Sequence, residues 1–275
     1  MTKIKLCALD VDGTLVRSDL SLSLDVIRAV ESARDAGVTI AIVTGRSLGE
    51  LIDLRRSFPW IRYFVFSSGA AGLDAERGAL FHENLLPLSI ARQIERESRN
   101  YSSMMQVYAD GTSYLDRACW DDAGRYSQEH MYHPSLVAGY TLVERIGDFL
   151  AARARDIEKL YVTFEDLSDL PRLRAYCEAF PVDLITSIQN GLEITRRGAE
   201  KGSGLSALCA YLGVSPEETA AVGDSEADIA MFRQAGLSIA MENAQDTVKQ
   251  SATCVAPSND QDGAVWAIQQ ILSAK

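Results

Sequence analysis

Asp10 and Asp12 stand one residue apart at the end of the apolar run Ile4 to Leu9, and the chain then turns through Gly13-Thr14. Two carboxylates with that spacing lean to the same side of an extended chain. There, one can coordinate a metal and attack while the other handles a proton, and Gly13 permits the sharp exit that aims both. Two further clusters share this character. Thr44-Gly45-Arg46 closes a second apolar run, and Gly223-Asp224-Ser225-Glu226-Ala227-Asp228 closes a later one, with Lys201 opening a helix between them. Carboxylates gathered this closely repel one another unless a cation shares them. Oxygen donors with little softness point to Mg²⁺, completed by water and a substrate phosphate. Lys201 and Thr44 then suit the neutralising and hydrogen bonding of a transferring phosphoryl group.

The elements around these clusters are those of an α/β domain. The runs ending at Asp10, at Thr44 and at Ser67-Ser68-Gly69 are short and apolar throughout, as strands buried on both faces are. Between them, Val26, Ile27, Val30 and Ala33 recur at helical spacing with Gly37 as the stop, and residues 47–58 read as a second helix ended by Pro59. The same alternation returns after residue 200, with helices at 201–213, 226–236 and 260–274 and strands at 219–224 and 237–241. Strand-helix alternation predicts a Rossmann-like parallel sheet with helices on both faces, and ligands then gather outside the carboxyl ends of its strands. The texture changes in between. Hairpin signals at Asp110-Gly111 and Asn190-Gly191, the strand-like 157–165 and the helical 170–180 predict an inserted α+β module. The expected division is a discontinuous core at 1–83 and 196–275, with the insertion at 84–195.

The bulk numbers exclude several classes. Acidic residues outnumber basic ones 38 to 27, for a formal charge of -11, so no basic face is on offer to nucleic acid. With 275 residues and 47% of them hydrophobic, the chain can bury the cores of two domains. Its 5 cysteines are scattered with no CxxC pair, which argues against a disulfide framework or a zinc ribbon. No apolar run approaches membrane-spanning length, and Asp10 comes too early for a signal peptide. The expectation is a cytoplasmic protein, a monomer or homodimer, with no nucleic-acid or membrane partner.

In order and spacing, Asp10-Val-Asp-Gly-Thr14, Thr44-Gly-Arg46, Lys201-Gly202 opening a helix and Gly223-Asp-Ser-Glu-Ala-Asp228 resemble the haloacid dehalogenase-like phosphohydrolases. The place and αβ pattern of the insertion, and the tail Ala256 to Ile268, are similar to the Cof-type branch with its subclass IIB cap. The likeness covers essentially the whole chain. It implies a Mg²⁺-dependent phosphatase acting on a small phosphorylated metabolite, a sugar phosphate or phosphorylated cofactor, through an aspartyl-phosphate. By position, Asp10 is the nucleophile. Asp12 protonates the leaving alcohol and then deprotonates the hydrolytic water. Asp10, Asp12 through its backbone carbonyl, and Asp224 hold the metal, with Asp228 as a ligand or just behind the ligands. Thr44, Gly45 and Lys201 bind the phosphoryl group, and Arg46 and Asn243 are secondary candidates. Two departures stand out: Ala227 and Ser68 each replace an asparagine that the family usually carries.

Plainer readings stand beside these. Thr44-Gly45 is also ordinary turn chemistry, and Asp228 is also an early-helix acid favoured by the helix dipole. Lys201 opposes that dipole, which favours a functional role. Arg46 equally suits a structural ion pair. His82, His130 and His133 read as surface or substrate-facing loop residues rather than as a metal site, and Met104-Met105 as core filling. Two other functions share the motifs: a sugar phosphomutase using the same site, and a catalytically weak phospho-ligand sensor, motivated by Ala227 and Ser68.

Overall fold

A computed structural model describes residues 3–186 and 191–274. The chain separates into two compact units, one of Met1–Gly45, Arg55–Glu83 and Glu200–Lys275, the other of Arg46–Leu54 and Asn84–Ala199. The division thus falls at Ala199 rather than residue 195, and the second unit also takes the short segment after the second strand. The reason is visible in the backbone: Gly49 N donates to Gly111 O at 2.9 Å, within the second unit.

The strands in chain order are β1 (Leu6–Leu9), β2 (Thr39–Val43), β3 (Tyr63–Phe66), β4 (Ala71–Asp74), β5 (Ala79–Glu83), β6 (Ser103–Ala109), β7 (Thr112–Asp116), β8 (Tyr140–Val143), β9 (Lys159–Phe164), β10 (Val182–Thr186), β11 (Gly191–Arg196), β12 (Thr219–Gly223), β13 (Leu237–Met241) and β14 (Cys254–Ala256). In the first unit they form one sheet in the order β14-β13-β12-β1-β2-β3-β4-β5. From β14 to β3 every pairing is parallel, and β4 and β5 add an antiparallel margin. All four residues of β1 are buried, because side chains on both of its faces pack under helices. On one face, Leu6 and Ala8 meet Leu205 and Leu208 of the helix Lys201–Leu212. Val26, Val30 and Ala33 form the buried stripe of the helix Leu24–Asp35, which packs beside Gly263–Ser273. Cys7 is buried as expected, and all five cysteines are free thiols.

The structure departs from the sequence reading in detail. The hairpin β4–β5, the strand β14 and the helix Asp246–Ser251 add to the expected elements. The expected helices at 47–58 and 226–236 are shorter, each opening on a 3₁₀ turn before one brief α-helix.

The second unit carries a six-stranded sheet in the order β10-β11-β9-β6-β7-β8, antiparallel except between β7 and β8. Met105, Val107, Leu160, Val162, Leu192 and Ile194 alternate onto one face and share a core with Ile94 and Leu173 from the helices Leu88–Ser98 and Leu170–Cys177. The Asp110-Gly111 turn lies where the sequence puts it, with φ of 53° and 73°. Asn190 of the second turn signal lies outside the described residues, and Gly191 opens β11. Among the described residues, no helix is long and apolar enough to cross a membrane.

Candidate active site

The parallel arrangement brings the carboxyl ends of β12, β1 and β2 side by side, which places Asp224, Asp10 and Thr44 at one sheet edge. Asp10 extends the ladder by one bond, its N donating to Val222 O at 3.0 Å, and its side chain is buried. The chain then curls tightly, with Val11 O accepting from the amides of Thr14, Leu15 and Val16. Gly13 has φ of +72°, and a Cβ there would stand 2.3 Å from Asp224 Oδ2, so the turn demands glycine twice over. Asp12, by contrast, is exposed.

Lys201 sits in the first turn of its helix and is buried. Its ammonium lies 2.7 Å from Asp10 Oδ1 and 2.6 Å from Asp228 Oδ1. Asp228 is fully buried, and its other oxygen accepts from the amides of Asp224 and Ser225 and from Ser225 Oγ, at 3.0, 2.8 and 2.8 Å. Both oxygens of Asp228 are therefore engaged by protein donors. Asp224 accepts from Thr14 Oγ1 at 3.1 Å and from Asn243 Nδ2 at 3.4 Å. Asp10, Asp224 and Asp228 each offer an oxygen within 4.8 Å of the others.

The electrostatics follow from this count of three carboxylates around one ammonium. Burial pushes the Asp10 carboxyl well above its ordinary value, Asp228 adds to that, and Lys201 opposes it. Burial likewise raises Asp224 to about 6, again with Asp228 adding and Lys201 opposing, while the Asp12 charge raises it further. Burial alone would lower Lys201, but Asp10 and Asp228 outweigh it and hold the ammonium above its usual range. The cluster carries surplus negative charge, all on hard oxygen donors, which fits a hard divalent cation.

The other sequence candidates divide between the units. Thr44 is buried, its N donating to Val65 O and its O accepting from Ser68 N, at 2.9 and 3.0 Å, and half-buried Gly45 follows it. Asn243 joins the cluster: Nδ2 donates to Gly13 O at 2.9 Å as well as to Asp224. Arg46 instead belongs to the second unit, where its guanidinium donates to Glu50 O at 3.2 Å. His82 is on β5 rather than in a loop, with Nε2 donating to Gly69 O at 3.2 Å. His133 begins the short helix Pro134–Val137 and accepts from Ser135 N. Met104 and Met105 are both buried, on opposite faces of β6.

Two further residues contribute to the site. Thr14, part of the first motif, donates from Oγ1 to Asp224. Asn259 is buried, its N donating to Asn243 Oδ1 at 3.1 Å and its Nδ2 to Val16 O at 3.0 Å, so it braces the Asp10 turn from the far end of the chain. Asn259 lies in the tail Ala256 to Ile268 that shares the family resemblance, but its residue type alone suits a turn as well as a site.

Residues 7–268 match the family described as haloacid dehalogenase-like hydrolase. The chain belongs to that family. It is similar to the phosphatase YwpJ of Bacillus subtilis, 28% identical over 98% of this chain and 100% of the relative. It is also similar to the 5-amino-6-(5-phospho-D-ribitylamino)uracil phosphatase YcsE of the same organism, 27% identical over 97% of this chain and 95% of the relative. A solved haloacid dehalogenase-like hydrolase from Bacteroides thetaiotaomicron has the same fold, with a TM-score of 0.85 at 23% identity over 98% of this chain and 100% of that one. Within the family the chain falls in the Cof-type branch. The solved subclass IIB sugar phosphatase BT4131 shares its fold, with a TM-score of 0.80 at 19% identity over 98% of each chain. The enzyme class that follows is phosphatase.

Proposed function

We propose that the chain hydrolyses a phosphate monoester of a small metabolite through an aspartyl-phosphate on Asp10. The observation that carries the reading is the buried Lys201 ammonium shared by Asp10 and Asp228, with Asp224 in the same cluster. In this mechanism an Asp10 oxygen attacks phosphorus and the ester P–O bond breaks. Asp12, exposed at the rim, gives its proton to the departing alcohol oxygen. Asp12 then takes a proton from water, whose oxygen attacks the same phosphorus, releasing inorganic phosphate and restoring Asp10. Lys201 and Thr44 hold the phosphoryl oxygens, and Asp228 orients Lys201 while its second oxygen fixes the turn at Asp224.

Mg²⁺ fits the donor set, held by Asp10, Asp224 and the Asp12 backbone carbonyl, where it supplies positive charge against the carboxylates and the phosphoryl oxygens. The engagement of both Asp228 oxygens favours its role behind the ligands. Ala227 interrupts none of these contacts, which supports a working site. The second unit we read as the cap that selects the leaving group. Relatives named for a phosphorylated ribitylaminouracil and for sugar phosphates support a sugar phosphate or phosphorylated cofactor as the substrate class. The free cysteines agree with a reducing, cytoplasmic setting.

The test is phosphate release across a panel of phosphorylated metabolites, with Mg²⁺ and with chelator, for the wild type and Asp10→Asn. The expected result is metal-dependent release that falls by about 10⁴-fold or more in the variant, with folding retained. Release that survives the substitution overturns the assignment of Asp10, and silence from folded wild type overturns the hydrolytic reading.

A further inference from the structure

His82 lies outside every motif legible in the sequence, yet it touches the segment that joins two of the phosphate-site candidates. After β3 the chain passes through Ser67, Ser68 and Gly69 with φ of 49°, 61° and 91°. Consecutive left-handed residues, two of them with side chains, cost about 1 kcal/mol each and persist only where neighbours hold them. One neighbour is Thr44, whose O accepts from Ser68 N at 3.0 Å. Another is the start of the Lys201 helix: a Cβ on Gly69 would stand 2.0 Å from Glu200 O and 2.9 Å from Lys201 N. The same helix rides close on β3, since a Cβ on Gly204 would stand 2.3 Å from Val65 Cγ1. The turn is thus wedged between the backbone carrying Thr44 and the backbone carrying Lys201.

The third hold is His82. Its Nε2 donates to Gly69 O at 3.2 Å, from β5, where His82 pairs in register with Gly72 just beyond the turn. The carbonyl acceptor sets the tautomer, with the proton on Nε2. The ring is half-buried, and burial lowers its pKa, which keeps it neutral near pH 7.

We propose that His82 is a positioning residue for phosphate binding. Through the Gly69 carbonyl it holds the strained turn in place, and the turn in turn sets Thr44 and the Lys201 helix. This rests on the reading of Thr44 and Lys201 as phosphoryl ligands. A displacement of an ångström or less at those groups is enough to cost an order of magnitude in rate.

The experiment compares wild type with His82→Leu, His82→Gln and His82→Asn. It reads kcat and KM for phosphate release, orthophosphate affinity by calorimetry, and Tm. His82→Leu is expected to weaken orthophosphate binding and to lower kcat/KM by about ten-fold each, the scale of one lost hydrogen bond acting through geometry. His82→Gln, whose amide nitrogen reaches the place of Nε2, restores both to within about three-fold, whereas the shorter His82→Asn does not. A purely structural histidine would lower Tm in all three variants and leave orthophosphate affinity of the folded protein unchanged. Affinity within two-fold of wild type in His82→Leu overturns the proposal, as does equal behaviour of the Gln and Asn variants. If His82→Leu does not fold, the Gln–Asn pair decides alone. Lys201→Met is measured alongside: if it keeps wild-type orthophosphate affinity, the phosphate-site reading itself fails, independently of the His82 series.

Discussion

Each unit buries a lysine against a carboxylate, and the two settings differ in a way that separates chemistry from architecture. In the parallel-sheet unit, Lys201 opens a helix and lies 2.7 and 2.6 Å from Asp10 and Asp228, with Asp224 in the same oxygen cluster. In the inserted unit, Lys159 stands on a sheet face, 2.6 Å from Glu193 and with its ammonium 4.5 Å from the Tyr108 ring centroid. Its Cα is in register with Tyr108 on one side and Thr195 on the other. Negative charge exceeds positive around Lys201, and burial, with Asp228 adding to it, raises the pKa values of Asp10 and Asp224. Around Lys159 an opposite charge and an aromatic face meet the ammonium within the sheet. A cluster of carboxylates around one ammonium where strands end has the charge to receive a cation, whereas a lysine–glutamate contact on a sheet face links neighbouring strands.

Substituting the two lysines tests that contrast most directly. Lys201→Met is expected to lower kcat/KM for phosphate release by about 10³-fold. Without metal it also destabilises the fold by about 3 kcal/mol, because buried carboxylates lose their counter-ion. Turnover within ten-fold of wild type would remove the distinction. Lys159→Met is expected to cost about 2–3 kcal/mol in denaturant melts while orthophosphate affinity stays within two-fold. Adding Glu193→Leu to it recovers most of that loss, and failure to recover would show that the pair does more than hold strands together.

An ion pair of the first unit away from the strand-end cluster gives a smaller, pH-dependent signal. Asp74 is fully buried on β4, and Arg62 Nε and Nη2 donate to it at 2.7 and 2.6 Å. The hydrogen-bonded guanidinium holds the Asp74 carboxyl well below the usual carboxylate range, against the opposing effect of burial. Its folded pKa being depressed, the stabilisation is fully present above the unfolded value near 3.9 and is lost as pH falls from there towards the folded value. Asp74→Asn should cost about 1–2 kcal/mol at pH 7 and should flatten stability against pH below about 4. An unchanged acid limb would remove Asp74 from the account. Smallest of all, Ala227→Asn is expected to change kcat by less than about five-fold, since Asp228 and Ser225 already order that turn. A larger gain would mean that the missing amide, rather than the lysine cluster, limits the enzyme.

Much of the first unit was legible beforehand because its strands are buried on both faces and read as unbroken apolar runs, each ended by polar residues of one character. Asp10, Thr44, Lys201, Asp224 and Asp228 could be picked out on residue type and spacing alone. The margin β4–β5 was not legible: Ala79–Glu83 is largely exposed and has no strand-like run of buried residues. Nor was the attachment of Arg46–Leu54 to the inserted unit, which rests on backbone contact with Gly111, far away in sequence. His82 carried no local signal and Asn259 only its place in the tail motif, because what matters about each is a carbonyl on another segment.

By itself, the sequence determined the alternation of elements, the carboxylates and the lysine available to a phosphoryl group, and the family they resemble, since periodicity and motif spacing are local properties of a chain. Only the tertiary structure decided that both oxygens of Asp228 are engaged by the protein, that Asn243 and Asn259 brace the Asp10 turn, and that His82 reaches the carbonyl of Gly69. A hydrogen bond between distant segments depends on where the packed sheet and helices bring two atoms within 3 Å or so of each other, and no spacing along the chain encodes that distance.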